Sequence, residues 1–185
     1  MPTQIEQMPL RNEYQLDPNI RNNSSASHIM ASNMVGASIA IQPPSRARAA
    51  QILYPPIIAK QSIHDDSGAQ YFATAVLLDN GGAIIDGCLE GTKAATGFQL
   101  DGSTSSSQTI VYAFSNLAIT KPGSYSLRLD LYKVSAESPT AGATLVEQLE
   151  ANTITVSDGD VPRQQPSSAE QDLMRRARDA GVPLP

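Results

Sequence analysis

The chain has 185 residues, 13 Lys and Arg against 18 Asp and Glu, 41% hydrophobic residues and one cysteine. That length suits one domain with a tail, and the lone Cys88 excludes an internal disulfide framework and any zinc cluster built on cysteines. No apolar run approaches the length of a membrane span and the amino terminus lacks the blocks of a signal peptide, so the expectation is a soluble, intracellular, mostly β protein.

Residues 1–33 are polar and rich in Asn and Ser, with no sustained apolar period, and are expected to form a disordered or loosely ordered arm. The domain is then expected over 34–185. Val35 to Ile41 reads as the first strand, ended by Pro43 and Pro44. The stretch Ser45 to Gln51 leads to a second break at Tyr54-Pro55-Pro56, and Ile57 to Ile63 is the next strand. Gln70 to Leu78 follows and runs into Asp79-Asn80-Gly81-Gly82, a hairpin signal that predicts a return strand over Ala83 to Glu90.

Thr96 to Leu100 is expected as a short strand before the polar loop Asp101 to Ser107. In the strand Thr109 to Phe114, Ile110, Tyr112 and Phe114 share one face, and Leu117 to Thr120 is expected to continue it after a bulge. Past the turn Lys121-Pro122-Gly123 comes the clearest alternation, with Tyr125, Leu127, Leu129 and Leu131 on one side. Ser138 to Gly142 breaks the chain, Ala143 to Leu149 fits either a strand or a short helix, and Asn152 to Val156 closes the β part. Ser167-Ser168-Ala169-Glu170 is a capping-box pattern and predicts a helix over 168–180, with Leu173, Ala177 and Ala180 on the face that caps a sheet edge. Short strands at this spacing with one terminal helix predict a β-sandwich.

Catalytic patterns are missing. His28 lies in the arm, and His64, Asp65 and Asp66 lack a metal-ligand spacing. Asp79, Asp86 and Asp101 each sit at a turn, where aspartate has a backbone role, and Cys88 reads as a buried structural thiol. There is no nucleophile elbow, metalloprotease motif or phosphate-binding glycine loop. No enzyme, cofactor or small-molecule substrate is expected, and a ligand-binding sandwich would need a pocket of convergent polar groups that the sequence does not announce.

The charge is uneven. Residues 1–64 carry five basic and three acidic residues, residues 65–185 carry eight and fifteen, and nothing acidic lies between Pro18 and His64. Arg21, Arg46, Arg48 and Lys60 fall in that stretch, an asymmetry that hints at a polyanion partner.

Several segments resemble the velvet-domain regulators of filamentous fungi. Gln42-Pro43-Pro44-Ser45-Arg46-Ala47-Arg48-Ala49 is similar to the family's early Gln-Pro-x-Arg-Ala-Arg motif, and Tyr54-Pro55-Pro56-Ile57-Ile58 to its Pro-Pro strand start. Tyr71-Phe72 with Leu78-Asp79, then Tyr112 to Ile119 and Lys121 to Leu129, follow in the family's order, and Ser168 to Val182 resembles its closing helix. The resemblance spans about residues 35–183 and implies an immunoglobulin-like β-sandwich akin to the Rel-homology domain, with a C-terminal helix. It also implies homo- or heterodimers with other velvet proteins, a nuclear location with possible shuttling to the cytoplasm, and DNA-dependent control of development, sporulation and secondary metabolism.

Arg46 and Arg48 carry over from the motif as phosphate contacts, and Lys60 joins them as a neighbour in sequence. The basic, glycine-rich loop usual in the family is replaced by Ala50-Gln51-Ile52-Leu53-Tyr54, and Ile41 stands before Gln42. DNA binding is therefore expected to be weak and to depend on a dimer. The alternative expectation is an interaction module that pairs with another velvet protein and has little or no DNA binding of its own.

Overall fold

The computed structural model describes residues 34–64, 68–100, 107–135 and 142–185. The expected arm over 1–33 with His28, the acids Asp65 and Asp66, Asp101, and the breaks at 101–106 and 136–141 lie outside the described residues.

The protein is mostly β with a C-terminal helix. Strands β1 (Met34–Ile41), β3 (Ile57–Ile63), β8 (Gln108–Phe114) and β7 (Phe98–Gln99) form one antiparallel sheet in the order β1-β3-β8-β7. The second sheet runs β2-β12-β10-β4-β6, from β2 (Arg46–Arg48), β12 (Ile154–Ser157), β10 (Gly123–Val134), β4 (Gln70–Asp79) and β6 (Ala94–Thr96). Strand β11 (Ala143–Glu150) pairs with the far end of β10. A two-stranded ribbon joins β5 (Leu89–Glu90) to β9 (Ala118–Ile119).

Alternation builds the core. Tyr125, Leu127, Leu129 and Leu131 of β10 point inward together with Ala73, Ala75 and Leu77 of β4. They share one cluster with Ile57, Ala59 and Ile63 of β3 and with Ile110, Tyr112 and Phe114 of β8. Strand β3 is apolar on both faces at its start because its two faces have different partners. Ile57 and Ala59 enter the core, while Ile58 lies under the helix α1 (Ser168–Asp179).

The capping box forms as expected: the Ser167 hydroxyl accepts from the Glu170 amide at 3.3 Å, and the Glu170 carboxylate accepts from the Ser167 amide at 2.7 Å. The helix does not cap a sheet edge. It lies on the outer face of the four-stranded sheet, where Ile41, Ile58 and Val111 of three adjacent strands meet Met174 and Ala177. Those strand residues make an apolar patch that an edge position would leave wet.

Four segments depart from the sequence expectation. The Asp79 turn closes, with the Asp79 carboxylate accepting from the Gly81 and Ala83 amides at 2.8 and 2.9 Å. The return strand over Ala83 to Glu90 does not form. After one bridge between Leu78 and Ile84 the chain turns through Gly87 (φ 74°), and Leu89–Glu90 pair with Ala118–Ile119. That pairing also takes Leu117 to Thr120 away from β8.

The strand expected over Thr96 to Leu100 splits at Gly97, with β6 on β4 and β7 on β8. A Cβ at Gly97 would stand 2.6 Å from Ile110 Cγ2 and 3.1 Å from the Tyr71 carbonyl oxygen, so only glycine lets the chain cross between the sheets here. Ala143 to Glu150 resolves as a strand, and Arg46–Arg48, read only as a connection, is a strand too.

Candidate functional site

The two expected arginines sit on β2, the edge strand of the six-stranded sheet. β2 runs parallel to β12, with Arg46, Ala47 and Arg48 in register with Thr155, Val156 and Ser157. Ala47 and Val156 are buried in the core, so period-two alternation turns Arg46 and Arg48 outward on the same side as Thr155 and Ser157. The arginines are exposed because the alanine between them is not.

The backbone around them is fixed. The Thr155 amide donates to the Ser45 carbonyl at 2.9 Å, and the Ala49 amide to the Ser157 carbonyl at 2.9 Å. Ala50 then takes a left-handed φ of 59°, which brings its amide to the Ile119 carbonyl at 2.7 Å. The pair of arginines is thus presented from a rigid element rather than a loose loop.

A third arginine completes the surface. Arg163 stacks its guanidinium over the Tyr54 ring, 4.3 Å from the centroid. Arg46, Arg48, Tyr54 and Arg163 rim one shallow hollow of about 30 Å³, a space for water rather than for a substrate. Asp160 stands among them and accepts from Arg48 Nη1 at 2.8 Å, with Arg48 51% and Asp160 97% exposed. No local signal marks Arg163 in Val161-Pro162-Arg163-Gln164; only the path of the chain after β12 brings it to β2.

Lys60 is elsewhere. It lies on the other sheet, in register with Ser38 and Val111, and faces the groove of about 540 Å³ between that sheet and α1. Glu170, Asp172 and Arg176 line the same groove, so the field around Lys60 is mixed. The sequence distance from Arg48 to Lys60 is short, but the chain changes sheets between them.

Other charged groups have structural partners. Arg128 on the outer face of the six-stranded sheet makes a two-point contact with Asp130, at 2.8 and 3.0 Å, and Gln148 donates to the same carboxylate at 2.8 Å. The hydrogen bond to Asp130 raises the Arg128 pKa above its ordinary value. Cys88 is buried, and among the described residues no three metal-ligating side chains converge. No helix among the described residues is long and apolar enough to cross a membrane.

No known protein family and no curated protein matches the chain. The arginine surface therefore stands on its own geometry: three guanidinium groups, one carboxylate, a flat setting and a fixed backbone.

Proposed function

We propose that this protein is a velvet-type regulator of transcription, a Rel-homology-like β-sandwich that dimerises, acts in the nucleus and touches the DNA backbone. Arg46 and Arg48 make the contact and Arg163 joins them, while Lys60 takes no part from its place on the other sheet. The observation that carries the reading is the edge strand itself, on which a buried Ala47 turns two arginines outward beside a third. Planar guanidinium groups around a shallow hollow on an edge strand suit phosphates, which need charge and hydrogen bonds rather than a deep pocket. The order of the velvet-like motifs supplies the regulatory role.

Three contacts per chain give weak binding. Each neutralised phosphate adds about 0.9 to the slope of log affinity against log salt, so a dimer with two such edges reaches a useful slope where a monomer does not. The test is a mobility-shift titration on duplex DNA from low to moderate salt. Arg46→Ala with Arg48→Ala flattens the slope by about 1 to 2 per chain; a slope left unchanged rejects the contact.

The second reading, a velvet-like module that pairs with another velvet protein and binds little DNA itself, is favoured by Asp160. That carboxylate already holds one of the arginines, in a chain of net charge −5. Binding seen only when a partner chain is added decides for it.

A further inference from the structure

We propose that Ser157 is a phosphorylation site for an acid-directed serine kinase, and that its phosphate occupies Arg48 and closes the arginine surface to other anions. The inference rests on the reading of Arg46 and Arg48 as a phosphate-contacting pair, and extends it to how that pair is regulated.

Three observations meet at this residue. Ser157 ends β12 in register with Arg48, on the outward side that the burial of Val156 and Ala47 defines. Parallel neighbours lie about 5 Å apart, so a phosphate on Ser157 falls within the sweep of the Arg48 side chain. The residues that follow are Asp158, Gly159 and Asp160, all exposed, so the acceptor serine carries carboxylates one and three positions downstream. Charge patterns of this kind select kinases with a basic substrate cleft. Finally, Asp160 already sends a carboxylate to Arg48 from the same side, at 2.8 Å, which places the guanidinium within reach of an anion from the end of β12.

The chemistry is ordinary phosphoryl transfer. The Ser157 hydroxyl oxygen bonds to the γ-phosphorus of a nucleoside triphosphate, the bond to the bridging oxygen breaks, the diphosphate leaves and the hydroxyl proton passes to the kinase base. The product adds nearly two negative charges and three acceptor oxygens beside Arg48. A dianion that offers a two-point acceptor displaces the single, solvent-exposed carboxylate of Asp160. The surface then has its own phosphate where a DNA phosphate would sit.

The full chain is treated with a serine kinase of the casein-kinase type and magnesium ATP, and the modified residues are mapped by mass spectrometry. Phosphate appears on Ser157, and its level falls several-fold in Asp158→Asn with Asp160→Asn. The phosphorus resonance of the product titrates below the usual second pKa of about 6 and returns towards it in Arg48→Ala. In mobility shifts at about 0.1 M salt the modified protein binds duplex DNA about tenfold more weakly than the unmodified protein. Labelling of other serines with Ser157 left bare overturns the proposal, and so does a titration indifferent to Arg48→Ala. If the unmodified protein binds no DNA, the DNA reading fails, while the mapping and the titration still decide the fate of Ser157.

Discussion

Arg48 donates to Asp160 at 2.8 Å across 112 positions of sequence, on an edge strand that otherwise offers its arginines to solvent. An exposed pair of this kind contributes about 0–1 kcal/mol to stability. Asp160→Asn is therefore expected to leave the melting temperature within a few degrees of the parent. The same substitution frees a guanidinium, so duplex DNA affinity rises several-fold and the salt slope steepens by about 0.9. Arg48→Ala in the same background abolishes that gain. A gain that persists without Arg48 would assign the effect to net charge rather than to the pair.

Ala50 holds the turn that sets the arginine strand against β9, at a φ of 59° that an L side chain adopts only at a cost. Glycine removes the clash at that position, against a greater loss of freedom on folding. Ala50→Gly is expected to stabilise the protein by about 1 kcal/mol in urea melts. Destabilisation there would mean that the Ala50 methyl packs better than its exposed position suggests.

Gly97 marks the point where the chain leaves one sheet for the other. A methyl group there meets Ile110 in the core and the Tyr71 carbonyl, and neither has room to retreat. Gly97→Ala is expected to cost about 1–3 kcal/mol, the usual range for overpacking. Ile110→Ala removes the Cγ2 methyl that the new Cβ meets, so the cost of Gly97→Ala shrinks in that background, and a double-mutant cycle measures how much.

The inward faces were legible from sequence because burial imposes a period of two, and Tyr125, Leu127, Leu129 and Leu131 keep it without exception. The helix start was legible because Ser167 and Glu170 satisfy local amides, a contact that needs no knowledge of the rest of the fold. Pairing partners were not. Asp79-Asn80-Gly81-Gly82 makes its turn, yet nothing local shows that Leu89 prefers Ile119 of a distant segment to the strand before the turn. The site divides along the same line. Arg46 and Arg48 belong to one three-residue strand and travel together, whereas Arg163 joins them, and Lys60 leaves them, only through the long-range order of the sheets. The sequence pattern points to Leu173 and the structure buries Met174, because two neighbouring apolar residues on a helix leave its rotation ambiguous by about 100°. Met174→Ala is accordingly expected to cost about 2–4 kcal/mol and Leu173→Ala less, since Met174 is buried and Leu173 only half so.

Tyr112 donates its hydroxyl proton to Gln61 in the interior, and burial pushes its pKa well above the ordinary tyrosine value. The neutral phenol is the form that the folded state holds. Its folded pKa is raised, so the stability linked to it is complete below the unfolded value of about 10 and is lost as pH rises towards the folded one. Urea melts are expected to be flat in this contribution at neutral pH and to weaken above about pH 10. Tyr112→Phe removes the buried titration and one hydrogen bond to Gln61, costing about 1 kcal/mol at neutral pH. The substituted protein then declines less steeply in alkali than the parent. Equal alkaline slopes in the two proteins would place the sensitive group elsewhere, and tyrosinate absorbance followed through the unfolding transition identifies it.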